Sequence, residues 1–82
     1  MMQVSVKFFS FLQQWAGTDR LQVDLTEEST VISLLEILSE KFQIPAIKDQ
    51  PLSIMVNQKV VKPQSVLNEG DQVLLLPIME GG

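Results

Sequence analysis

Two glycines, Gly81 and Gly82, close the sequence, and the first chemistry to weigh belongs to them. Glycine makes up about 7% of average sequence, so a pair in the last two places is a poor product of chance. Chain ends are often frayed and indifferent to composition, and that bland account holds until the surroundings are considered. Pro77 closes an apolar run and sends the remaining residues clear of it, while glycine lacks the Cβ that would bar entry to a narrow channel. Such a tail can be inserted into a pocket of another protein. Its α-carboxylate is a poor electrophile until one oxygen becomes a good leaving group, which adenylation by ATP on a partner enzyme would accomplish. A carrier of this kind needs no catalytic residue of its own.

The second feature is Val73-Leu74-Leu75-Leu76. A strand that is apolar at consecutive positions is apolar on both faces, and one helix covers only one of them. Two accounts remain for the other face. Either the short Phe11–Trp15 helix and the Pro45–Leu52 connection cover it, or it is an exposed apolar patch of the sort that marks a protein interface. Phe9, out of phase with Val4, Val6 and Phe8, points to that same outer face with one parity of Leu74, Leu76 and Ile78. The remaining candidates read more simply as structure. Glu27-Glu28 is a solvated helix entrance, Glu69 with Asp71 is turn chemistry, and Trp15 is core or subcore. Lys41, Lys48, Lys59 and Lys62 are solvated surface, although scattered cations near an interface select an acidic partner.

Composition narrows the function classes further. The chain of 82 residues is long enough for one domain and too short for a second core. With 45% hydrophobic and 20% charged residues it folds rather than staying disordered. Its net charge of −4, without a run of lysine or arginine, argues against nucleic acid or anionic membrane as partner. Cysteine and histidine are both absent. That removes disulfides, soft metal ligands, thiol nucleophiles and the commonest general base together. No bound cofactor and no metal site are expected. The first residues lack a basic stretch followed by an apolar one, and no window approaches the ~20 apolar residues of a spanning helix, so the expected setting is cytoplasmic.

The elements that must position tail and patch follow from periodicity. Gln3 to Phe9 alternates as a strand with one buried face. Ser10 to Ala16 predicts a short helix with Ser10 as a possible cap and a stop at Gly17. Leu21, Val23 and Leu25 give a second strand. Val31, Leu34, Leu35, Leu38 and Phe42 describe an amphipathic helix capped by Thr30 and finished before Pro45. Leu52–Val56 and Lys59–Val61 form a hairpin about Asn57-Gln58. Asn68-Glu69-Gly70-Asp71 turns into a last strand, Gln72–Leu76, whose ladder Pro77 stops. Residues 78–82 remain as a tail of this single domain.

Several of these segments together resemble the MoaD/ThiS sulfur carriers, most closely the MoaD branch, the small subunits of molybdopterin synthase. The markers are Val6-Lys7-Phe8-Phe9 leading to Trp15-Ala16-Gly17, Thr30-Val31, Val56-Asn57-Gln58, Leu67 through Val73, and Pro77 followed by Gly81-Gly82. The resemblance spans essentially the whole chain. It implies an α+β, ubiquitin-like β-grasp fold, a mixed sheet of about five strands packed on the helix after Thr30. It also implies that an E1-like, MoeB-like enzyme uses ATP to adenylate Gly82, that the adenylate becomes a thiocarboxylate, and that the tail enters a MoaE-like large subunit to pass sulfur to a pterin precursor. Gly82 would then carry the sulfur and Gly81 give clearance, while Phe9, Leu74, Leu76, Ile78 and Met79 dock the partners. Pro77-Ile78-Met79-Glu80 stands where the family often has Pro-Pro-Val, and Gln13 where it often has arginine. A carrier for thiazole synthesis, a protein modifier, and a β-grasp binding module that never activates its terminus remain alternatives.

Overall fold

A computed structural model describes residues 1–78. The chain runs β1 (Met2–Phe8), α1 (Leu12–Ala16), β2 (Arg20–Leu25), α2 (Val31–Glu40), a 3-10 turn (Pro45–Lys48), β3 (Leu52–Val56), β4 (Lys59–Val60) and β5 (Gln72–Pro77). The strands form one mixed sheet in the order β2-β1-β5-β3-β4. β1 and β5 are parallel at its centre, and the remaining pairs are antiparallel. This is the β-grasp arrangement, α+β, with five strands as the sequence predicts.

Alternation in β1 buries Met2, Val4, Val6 and Phe8 on one face. α2 lays Val31, Leu34 and Leu38 against that face, where they meet Val73 and Leu75 of β5 and Ile54 of β3. Ile44, Ile47 and Leu67 from the connections belong to the same cluster. α2 starts where Thr30 caps it: Thr30 Oγ1 accepts from the Ser33 amide, and Ser33 Oγ accepts from the Thr30 amide. Replacing Thr30 by alanine removes one arm of this reciprocal cap. The expected loss is about 1 kcal/mol of folding stability, read as a lower urea midpoint at unchanged slope.

Three local expectations are corrected. Ser10 caps nothing: its φ is +58°, and α1 begins after Phe11 without a side-chain cap. Gly17 does close that helix, in the left-handed region at φ +74°. Phe42 lies outside α2, which ends at Glu40. Its amide reaches back to the Ile37 carbonyl, and a left-handed Gln43, φ +59°, then redirects the chain so that Ile44 and Ile47 are buried. Pro77 does not stop the last ladder. It lies in β5 opposite Leu52, and the Ile78 amide donates to the Pro51 carbonyl at 3.0 Å. Alternation along β5 explains why. The Phe9 amide donates to the Leu75 carbonyl and Ile78 faces β3, so the N–H that Pro77 lacks would point past the end of β1, where no acceptor strand runs.

Candidate functional site

β5 is the strand that delivers the chain end. It is gripped on one side by β1, from Ser5↔Gln72 to Phe8↔Leu75, and on the other by β3, from Val56↔Val73 to Leu52↔Pro77. Its start is fixed as firmly. Asp71, buried apart from 8% of its surface, accepts from Asn57 Nδ2 and from the Asn68 amide, each at 2.8 Å. Asn57 Oδ1 in turn accepts from the Gln72 amide, and the Asn57 amide donates to the Gln72 carbonyl. Asn57 and Gln58 take φ +51° and +73°, the two left-handed positions of a tight hairpin turn, where asparagine is favoured. The β3–β4 turn is thereby tied to the first residue of the strand that ends beside the tail. These polar residues were missed as a positioning network by sequence reasoning; the Val56-Asn57-Gln58 and Asn68–Gln72 segments were visible only as separate turns. Asp71→Ala leaves the Asn57 amide group and the Asn68 N–H without their acceptor. The expected cost is about 2 kcal/mol, measured by denaturant unfolding, with Asp71→Asn losing less.

The outer face of the sheet carries the second part of the site. Register sets Lys7 opposite Leu74, Leu74 opposite Met55, and Ser53 opposite Leu76. Phe9, Leu74, Leu76 and Met55 are half-buried on this side, and Ile78 is 49% exposed. By contrast Val73 and Leu75, at the alternate positions, are fully buried on the α2 side. The two elements that offered an alternative cover do not supply it. Leu12 of α1 and Ile47 of the 3-10 turn join the core cluster with α2. The structure therefore brings Phe9, Leu74, Leu76 and Ile78 to one apolar surface at the end of the sheet where β5 leaves it. Met55 joins them, a residue that the hairpin register could have found from its parity with Ser53. Trp15 is not core: it is 40% exposed and tilts against Phe11 with ring centroids 5.1 Å apart. Met79, Gly81 and Gly82 lie outside the described residues.

Among the described residues no group of histidine, cysteine, aspartate or glutamate is arranged to hold a metal, and no buried side-chain polar atom lacks a partner. What remains is a positioned strand end beside an apolar platform. The sequence model of the ThiS family matches residues 6–82. A molybdopterin synthase sulfur carrier subunit of Drosophila yakuba is 35% identical over 82 aligned residues, covering 96% of this chain and 90% of the relative. A Pyrococcus furiosus structure assigned as subunit 1 of molybdopterin converting factor superposes with TM-score 0.85 at 26% identity, over 96% of this chain and all of that one. The fold also matches, at 23% identity and TM-score 0.67, over 99% of this chain and 100% of that one, a chain in a Helicobacter pylori complex of subunits 1 and 2 of molybdopterin-converting factor.

Proposed function

The chain belongs to the ThiS family, and from that premise we propose that it is the sulfur carrier subunit of a molybdopterin synthase, with the carboxylate of Gly82 as its working group. The observation that carries the reading is the end-to-end likeness to a relative bearing that function, in a chain with neither cysteine nor histidine to do chemistry of its own.

The steps follow from carboxylate chemistry. On an E1-like activating enzyme, a Gly82 oxygen attacks the α-phosphorus of ATP and pyrophosphate departs, leaving an acyl adenylate. A persulfide on the sulfur donor then displaces AMP at the acyl carbon. A thiol attacks the S–S bond of the resulting acyl disulfide, leaving with the donor's own sulfur as a disulfide and freeing a terminal thiocarboxylate. The thiocarboxylate sulfur is nucleophilic near neutral pH, so in the large synthase subunit it attacks a carbon of the pterin precursor, and an oxygen substituent of that carbon departs as the carbon–sulfur bond forms. Cleavage of the acyl–sulfur bond by water returns the carboxylate. ATP is a substrate of the activating enzyme; the carrier itself holds no cofactor. Gly81 gives the clearance that a Cβ would deny in a narrow channel. Phe9, Leu74, Leu76, Ile78 and Met79 form the docking surface for the large subunit and the activating enzyme. Among the described residues no helix is long and apolar enough to cross a membrane, and a cytoplasmic setting suits the use of ATP.

The test is the intact mass of the chain before and after incubation with ATP, its activating enzyme and a sulfur donor. Exchange of one oxygen for sulfur at the terminus is the expected result, followed by transfer of that sulfur to the pterin precursor when the large subunit is added. An unchanged mass, with the enzyme active on another carrier, overturns the reading. Loaded chain that is inert with the large subunit and precursor assigns it to a different sulfur pathway.

A further inference from the structure

Beside the apolar part of the outer sheet face lies a cationic part. Lys7 of β1 and Arg20 of β2 stand directly opposite each other in the ladder, an arrangement in which like charges repel. The whole chain has only six lysines and arginines against ten acidic residues, so placing two of the six face to face calls for a reason. Among the described residues neither is in a salt bridge; the one ion pair found joins the N-terminus to Glu27. Lys7 Nζ instead lies 5.2 Å from the centroid of the Phe9 ring, which holds the ammonium over the face. The nearest acidic position on the same side of β2 is Asp24, four residues beyond Arg20 and hydrogen-bonded to the Gln3 side chain. It does not neutralise the pair.

The cations are continuous with the docking platform. One cross-strand row reads Arg20, Lys7, Leu74, Met55 and Val60. A depression of about 110 Å³ opens at its cationic end, where Ser5 and Gln72 add a hydroxyl and an amide to Lys7, Arg20 and Leu74. We infer that the protein docking on this face presents an aspartate or glutamate that enters between Lys7 and Arg20 while its apolar side chains cover Leu74 and Phe9. In the free chain the two cations repel; a carboxylate between them converts that repulsion into attraction. A competitor without the carboxylate leaves two cations losing water beside an apolar contact, so the arrangement also discriminates between partners.

The inference rests on the carrier-subunit reading, and the experiment separates the two. The full chain is titrated with the large synthase subunit of its own organism at low and high salt, together with the double variant Lys7→Gln/Arg20→Gln. Loss of the mutual repulsion leaves the thermal midpoint of that variant no lower than wild type. Its association constant is expected to fall about tenfold at low salt and its salt dependence to flatten. Lys41→Gln/Lys48→Gln, which removes the same charge on the helix side, is expected to bind like wild type. Wild-type affinity and salt dependence in Lys7→Gln/Arg20→Gln, or an equal loss in Lys41→Gln/Lys48→Gln, overturns the inference while wild-type binding upholds the reading. Failure of the wild-type chain to bind the large subunit overturns the carrier-subunit reading and the inference with it.

Discussion

A chain that ends at Gly81 is expected to form thiocarboxylate at least about 10²-fold more slowly than the full sequence, yet to unfold at the same urea concentration. The first half of this result follows from reach. Removing one residue withdraws the terminal carboxylate by about 3.3–3.6 Å, whereas reacting atoms must stand about 3–3.5 Å apart for attack. The shortened tail cannot bring its carboxylate to the α-phosphorus without pulling the docked sheet face off its partner. A loss of at least about 10²-fold in loading rate is expected from displacement on that scale. The second half follows from where the core lies. Among the described residues, every member of the buried cluster falls between Met2 and Leu75, so the truncation removes none of them. Gly81→Val keeps the length but adds a branched side chain, and is expected to dock normally while loading slowly. Mass spectrometry after incubation with the activating enzyme reads both variants. Full loading of the chain ending at Gly81 would place the reactive carboxylate elsewhere and sink the assignment of Gly82.

Much of the architecture was legible because alternation and helical spacing record burial directly. Val4, Val6 and Phe8, and then Val31, Leu34 and Leu38, mark the two surfaces that meet in the core. What the sequence did not reveal depended on register and on tertiary override. Phe42 continues the helical spacing of Val31 to Leu38, yet α2 stops two residues before it because the chain must turn at Gln43 to bury Ile44 and Ile47. Pro77 reads as a strand breaker unless one knows that its missing N–H faces the end of β1. Whether the second apolar face of β5 was covered could not be decided from composition. The answer required knowing that Leu12 and Ile47 go to the α2 side. The Lys7–Arg20 pair was likewise invisible, since two cations thirteen positions apart become neighbours only when β1 and β2 are aligned with Lys7 opposite Arg20.

That same alternation makes β5 the place where folding and docking separate residue by residue. Leu75 is fully buried while Leu74 and Leu76, on either side of it, are half-buried on the outer face. Leu75→Ala leaves a cavity against Phe8 and Ile54, its cross-strand partners; the expected cost is about 2–5 kcal/mol, enough to unfold a large share of a marginally stable small domain. Leu74→Ser/Leu76→Ser removes side chains that keep part of their surface in water in the free chain, so its cost to folding is expected to be smaller than that of Leu75→Ala, about 1–3 kcal/mol for the pair. Its cost to association is expected to be larger, because the docked partner covers the surface that these side chains leave exposed. Two central anchors lost from an interface each weaken binding by about 2 kcal/mol or more, so affinity for the large subunit should fall by at least about 10²-fold. Calorimetric titration and urea unfolding of the two variants side by side measure both quantities. A serine pair that unfolds the chain would mean that Leu74 and Leu76 hold the core. A serine pair that folds and binds at full strength would move the docking surface off this face of the sheet, and the cation pair beside it would lose its partner as well.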